Sequence, residues 1–225
     1  MQKDAAIRTI VECARKYANN LVGYNHTFVF GDVGSVGCVE TLYLPQNFLH
    51  LTGLVIADQS LSSANFLSMC LDGRLTSSSF DFSKDGTTIL KLSVLPQLME
   101  LHKTAKMIGD YSENRIKLNT EKIIGHVSAC MGFVRSKESP DYFVPNTVLK
   151  EDIRDVVQRP VKRILAVFKK SSDEYSYSIC TYLAKGIALD SIELPENYKR
   201  KVSVQESRND HIAMSNHGEY AGKRV

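Results

Sequence analysis

The sequence predicts an α+β protein, with helices and one hairpin first and a mainly antiparallel sheet after them. Three observations carry this. Ile7, Ile10, Val11, Ala14 and Leu21 recur at helical spacing near the N-terminus. Two β-rich runs flank GDVGS and read as a hairpin. After Gly109 the helical patterns give way to short strand-like runs.

In chain order, residues 4–19 form the first amphipathic helix, and HTFVF (26–30) with VGCVETLYL (36–44) forms the hairpin, closed by Pro45. QNFLHLTGL suits either a short buried helix or a strand end. Residues 62–71 are helical, with a Ser start and Gly73 as the stop, and TSSSFDFSKDG is a loop. Residues 87–108 have a helical pattern that Pro96 kinks or restarts. Strands follow at 115–118, at 122–135 (interrupted by Gly125 and Gly132) and at 142–145. A short helix covers 149–157, and a last hairpin joins 161–170 to 175–186. The expected organisation is one domain over 1–198 and a polar, mobile tail over 199–225.

With 43% hydrophobic and 24% charged residues, the 225-residue chain has the composition of a globular protein rather than a disordered one. No run approaches the ~18 consecutive apolar residues of a membrane span. Asp4, Glu12 and Arg15 interrupt the N-terminal apolar positions, which argues against a signal peptide. The five cysteines are widely spaced and form no CxxC, so a cytoplasmic protein with reduced thiols and no metal or other cofactor is expected. Charge is uneven. Residues 1–110 hold 9 Lys/Arg against 10 Asp/Glu, and residues 111–225 hold 19 against 15. Arg154, Arg159, Lys162, Arg163, Lys169 and Lys170 lie close in sequence there, as a phosphate-binding footprint or as a solvated face.

GDVGSVG lacks the order of a dinucleotide or Walker loop, and a strand-like run follows it, so it reads as a turn. His50 sits among Phe48, Leu49, Leu51 and Leu54, where burial would favour a neutral imidazole suited to general-base work. The alternative is a core histidine bonded to a carbonyl. Thr52 orients His50 only if the backbone is extended. Lys91, alone in ILKLSVL, is either a snorkelling helix lysine or a cation for transition-state phosphate charge. His126 reads as a strand-face residue and His102 as an exposed helix residue. Asn146 or Thr147 caps the helix beginning near Leu149, and such an N-terminus also suits a phosphate. Tyr175, Tyr177, Thr181 and Tyr182 either donate hydrogen bonds and stack bases or are ordinary strand residues.

Taken together, NFLHLTGL, KLSVL, LNTEKIIGH and YFVPNTVLKEDIR resemble one of the phage-associated nuclease-like families grouped with barnase, EndoU, the tRNase colicins and RelE, over roughly residues 25–190. The resemblance implies N-terminal helices before an antiparallel sheet of about four strands. It also implies a metal-independent endoribonuclease that cleaves by 2′-OH attack on the adjacent phosphate. The matching positions are Asn47, Phe48, His50, Gly53, Lys91, Gly125, Pro145, Asn146 and Thr147. Of these, the resemblance gives His50 an acid or base role, Lys91 charge stabilisation and Thr147 a hydrogen bond to phosphate. Asn146, Lys169, Lys170 and Tyr175 are expected to bind substrate, and His126 or Tyr175 is the candidate second acid. The implied partners are RNA, with tRNA one class, and an antitoxin or immunity protein; a membrane is not among them. A toxin or phage-conflict role fits this reading. The competing reading is a non-catalytic RNA- or protein-binding module on the same scaffold. A DNA nuclease is disfavoured, because no carboxylate cluster suited to two-metal chemistry is visible.

Overall fold

The computed structural model describes residues 1–57, 60–112 and 118–203. Helix α1 (Lys3–Asn20) buries Ala6, Ile10, Cys13, Ala14 and Tyr17 along one stripe, as its spacing requires. Strands β1 (Tyr24–Asp32) and β2 (Ser35–Leu42) form the expected hairpin, paired from Asn25↔Leu42 to Asp32↔Ser35. The ambiguous NFLHLTGL resolves into helix α2 (Asn47–Thr52), ended by Gly53 in the left-handed region, and strand β3 (Leu54–Ile56). Helix α3 (Ser63–Leu71) starts where Ser62 Oγ accepts from the Asn65 N–H at 3.2 Å.

Three local expectations are corrected. The Ser-rich loop contains strand β4 (Phe80–Phe82), which pairs with β3 and buries Phe80. The segment 87–108 is not one helix. It divides into α4 (Thr87–Leu98), α5 (Leu101–Thr104) and strand β5 (Met107–Asp110). Strands therefore begin two residues before Gly109. The expected helix at 149–157 shrinks to α6 (Ile153–Val156), because strand β8 (Phe143–Leu149) runs through Asn146 and Thr147. Asp152 is the cap, its carboxylate accepting from the Arg154 N–H at 2.9 Å. The run 122–135 forms β6 (Lys122–Gly125) and β7 (Cys130–Arg135), broken after Gly125 as expected, while Gly132 stays in the strand beside a bulge. Of the strand expected at 115–118, residues 115–117 lie outside the described residues.

The last hairpin is β9 (Lys162–Ser171) with β10 (Ile179–Leu183). The first hairpin joins it rather than standing apart. The main sheet has eight strands in the order β1-β2-β8-β7-β6-β5-β9-β10, with β1 also paired to β9. Seven of these strands thus form a closed circuit, with β10 lying along β9. Most pairings are antiparallel; β2 meets β8 in parallel at Thr41↔Phe143. The expected four-stranded antiparallel sheet is therefore too small and too uniform. Pairing of β1 with β9 joins segments some 140 residues apart, for example Phe28↔Val167. No local pattern encodes such a partner.

The helix-facing side of the sheet holds the main core. Phe28, Ile124, Met131, Phe133, Val148 and Val167 pack there against α1 to α4. On the outer side, Val29, Leu165, Phe168 and Tyr177 are covered by the C-terminal segment around Ile192, which continues through helix α7 (Glu196–Lys199). Lys201 Nζ and the Tyr177 hydroxyl both donate to the buried Glu40 carboxylate, at 3.0 and 2.7 Å. Ser203 N donates to Tyr177 O at 3.0 Å and fixes the last described residues.

Gly125 is the tightest point of the β6–β7 turn. A Cβ there would lie 2.5 Å from Ala129 O and 2.5 Å from Cys130 Cβ. Backbone atoms supply part of this contact and cannot swing aside, so Gly125→Ala should cost about 2–4 kcal/mol. For a chain of this size that lowers the melting temperature by roughly 5–15 °C. Thermal unfolding followed by circular dichroism checks it.

Candidate active site

Nearly every residue of NFLHLTG has a structural task. Asn47 Oδ1 accepts from the Leu44 N–H at 3.0 Å and ties the turn from β2 into α2. Phe48 is buried, 6.0 Å from the Phe66 ring and 5.2 Å from Tyr17. Leu49 and Leu51 pack into the core. Thr52 Oγ1 donates to Leu49 O at 2.7 Å and accepts from the Leu54 N–H at 3.3 Å. Gly53 takes φ +66°, and a Cβ there would press 2.7 Å from Lys91 Cδ. His50 is the exception. Its imidazole is exposed and makes no hydrogen bond among the described residues.

The sequence places His50 in an apolar setting, and the helix overturns that expectation. Leu49 and Leu51 turn toward the core, whereas His50 faces solvent. Thr52, two residues on along a helix, does not orient it. What does stand beside it is Lys91. From α4, Lys91 Nζ donates to the His50 carbonyl at 3.1 Å, and its stem runs over Gly53. Thr88, one turn earlier, donates to the Gly53 carbonyl, so α4 is fastened to the end of α2 at two points. Burial of the stem pushes the Lys91 pKa down, with Asp85 opposing it. The ammonium keeps two further donors.

Thr147 does not join this pair. Val148 lies on the helix-facing side with Met131, its register partner. Its neighbour Thr147 therefore points to the outer side, opposite Gly132 and next to Thr120. Asn146 Nδ2 donates to Asn119 O there. Neither residue caps a helix.

Lys169 and Lys170 are likewise split by the pleat. Lys169 lies on the helix-facing side, where its ammonium sits 3.5 Å from the Tyr24 ring centroid. Lys170 is buried on the outer side, and its ammonium is held by Glu174 O at 2.7 Å and Tyr175 O at 3.2 Å. Tyr175 is exposed on the β9–β10 connection. His126 lies in the β6–β7 turn, with Nδ1 3.2 Å from Ser128 Oγ. Burial and the Lys106 charge lower its pKa. No hydrogen bond or ring contact joins His126 or Tyr175 to His50 or Lys91.

Two other histidines were hidden from sequence reasoning. His102, expected to be exposed, is buried with His26, their ring centroids 5.1 Å apart. Helix α5 is too short to have an outer face of its own at His102; it is pressed onto β10, where Thr181 Oγ1 donates to His102 O at 2.9 Å. Both nitrogens of His26 and Nδ1 of His102 lack hydrogen-bond partners among the described residues. Burial lowers the His26 pKa well below its ordinary value and that of His102 to about 4. Both rings are therefore neutral near pH 7, but sealed away from any substrate. Among the described residues no group of three His, Cys, Asp or Glu side chains is placed to hold a metal ion, and no helix is long and apolar enough to cross a membrane.

The structure is thus an α+β protein in which an exposed histidine, its backbone carbonyl held by a lysine ammonium, lies in a helical layer over a curved sheet. The chain belongs to the family described as phage-Barnase-EndoU-ColicinE5/D-RelE like nuclease4, whose family model matches residues 9–186. Membership carries nuclease function of the barnase, EndoU and RelE kind to this chain. No curated protein and no solved structure matched the chain significantly.

The buried histidines make stability acid-sensitive. The unfolded chain binds protons near pH 6.5, whereas folded His102 stays neutral down to about pH 4. Their contribution is complete above about pH 6.5 and shrinks as the pH falls below it, by up to ~1.4 kcal/mol per unit per histidine. Urea unfolding at pH 7 and pH 5 should show a loss of about 2 kcal/mol or more. His102→Gln should flatten that dependence.

Proposed function

We propose that the protein is an endoribonuclease that cleaves RNA without a metal ion, with His50 moving the proton and Lys91 holding developing phosphate charge. One observation carries this reading. Within NFLHLTG, His50 alone is exposed and structurally uncommitted, and a partly desolvated ammonium is fastened to its own carbonyl. In the proposed reaction His50 takes the ribose 2′-OH proton and the 2′-oxygen attacks the adjacent phosphorus. The 5′-oxygen departs as a hydroxyl, leaving a 2′,3′-cyclic phosphate, so one proton moves from the 2′- to the 5′-oxygen overall. Lys91 supplies charge stabilisation from a fixed position, which avoids reorganisation as charge develops. RNA, tRNA among its classes, is the proposed substrate. An antitoxin or immunity protein is the partner expected of a toxin or phage-conflict role in a reducing cytoplasm.

A second reading, an RNA-binding module without catalysis, is favoured by the position of Thr147 on the opposite side of the sheet from Lys91. Cleavage of end-labelled RNA in excess EDTA separates the two. The parent should yield fragments ending in 2′,3′-cyclic phosphate, and His50→Ala should lose about 10²–10⁴-fold in rate. Lys91→Met should lose about 10²-fold or more. Thr147→Val, a near-isosteric change on the opposite side of the sheet from Lys91, should stay within about threefold of the parent. RNA binding without cleavage by the parent would establish the binding module instead.

A further inference from the structure

We infer that the notch between β5 and β10, walled by Lys106, Arg163, Tyr182 and Lys185, is a phosphodiester-binding site for a single strand of RNA. The inference deepens the ribonuclease reading by naming where the strand is held, and it rests on that reading for the choice of RNA over another polyanion.

The notch follows from how β9 shares one edge between two partners. β5 pairs with the start of that edge, at Ile108↔Lys162 and Met107↔Arg163, and β10 pairs further along it, from Leu183↔Ala166. Between them the chain is pinned by Ile164 N donating to Lys106 O at 2.9 Å and Ala184 N donating to Leu165 O at 2.8 Å. Lys106 thus stands on one lip and Tyr182 to Lys185 on the other. The cleft between them is open to solvent and has a volume of about 680 Å³, within the range of small-ligand sites.

Its lining has two unusual features. It contains three cations and no carboxylate: Lys106, Arg163 and Lys185, with Met107, Val161, Tyr182 and Leu183 as the apolar wall. The cations are also unneutralised, since none of the three forms an ion pair among the described residues. Lys106 is held 4.1 Å from the Tyr182 ring centroid, and Arg163 Nη2 donates to Lys185 O at 2.9 Å. A ring and a carbonyl orient these cations without cancelling their charge. Three like charges around one cleft repel one another, and an anion removes that repulsion. The apolar wall suits a sugar and base better than a free phosphate ion. Val161 and Arg163 also border a second recess of about 500 Å³ at the β1–β2 end, lined by Asp32 as well as by Lys162, which lies 5.3 Å from the Phe30 ring centroid. A second basic recess one strand away suits a strand better than a mononucleotide.

The test uses the full chain and a fluorescein-labelled 12-nucleotide 2′-O-methyl RNA of mixed sequence, which lacks the nucleophile and is read by binding alone. Replacing Lys106, Arg163 and Lys185 together by Gln should raise the dissociation constant at least tenfold and reduce the slope of log K against log salt by about 2. A control removing equal charge from exposed sites outside the cleft, Lys84, Lys137 and Lys150 to Gln, should change it by threefold or less. Lys185→Gln alone, at an exposed side chain, should weaken binding measurably and guards against misfolding of the triple variant. Cleft and control variants binding alike, or a parent that does not bind the probe, would overturn the site. Displacement of the probe by poly-glutamate of equal charge would overturn its assignment to RNA. If the parent binds through the cleft but cleaves no RNA, the site stands and the ribonuclease reading falls. If the parent cleaves and the cleft variant binds normally, the reverse holds.

Discussion

The pairing of β9 along both of its edges is the constraint on which the rest of the molecule depends. One edge takes β1 and the other takes β5 and then β10. The first pairing joins the N-terminal hairpin to the C-terminal one, and the second closes the circuit through β6, β7 and β8. Closure gives each of seven strands a neighbour on both sides and leaves β10 as the edge strand. It also curves the sheet enough for one helical layer, α1 to α4, to cover its inner side. Without β9, the β1–β2 hairpin would keep only the single parallel contact at Thr41↔Phe143 as its link to the other strands of the main sheet.

The same arrangement separates chemistry by side. His50 and Lys91 belong to the helical layer, Lys91 being fastened to the His50 carbonyl and its neighbour Thr88 to that of Gly53. Thr147 and Lys170 face outward, the latter bound into the β9–β10 turn. Arg159, Lys162 and Arg163 stay on the open approach to β9, while Arg154 is neutralised by Asp152. Basic residues that look like one patch in sequence are therefore three populations in space: paired, buried and free.

Much of this was legible where the signal is local. The α1 stripe, the β1–β2 hairpin, the Ser62 cap and the β9–β10 hairpin all follow from spacing and turn chemistry. The failures have physical causes. Met107 and Ile108 extend the apolar character of α4 and α5 and so disguise β5, whose strand character comes from its partners β6 and β9. Asn146 and Thr147 precede an acidic helix and look like its cap, yet Val148 and Leu149 prolong the strand and leave that task to Asp152. His102 reads as exposed because helical periodicity means little in a four-residue helix. His50 and Lys91 each stand out in an apolar segment, but only the family resemblance links them to one another. Their adjacency depends on how α4 crosses the end of α2, which no pattern in either segment announces.

The order in which the chain is made gives the closing strand a further meaning. His50 and Lys91 leave the ribosome before β9 does, on helices that share one core with α1 in the finished fold. The strand that completes the sheet beneath them, Lys162–Ser171, is made only after both of them, and both lips of the β5–β10 notch need it. Contacts of such long sequence separation form late. A chain that stops short of β9 thus carries His50 and Lys91 over a sheet that is not closed.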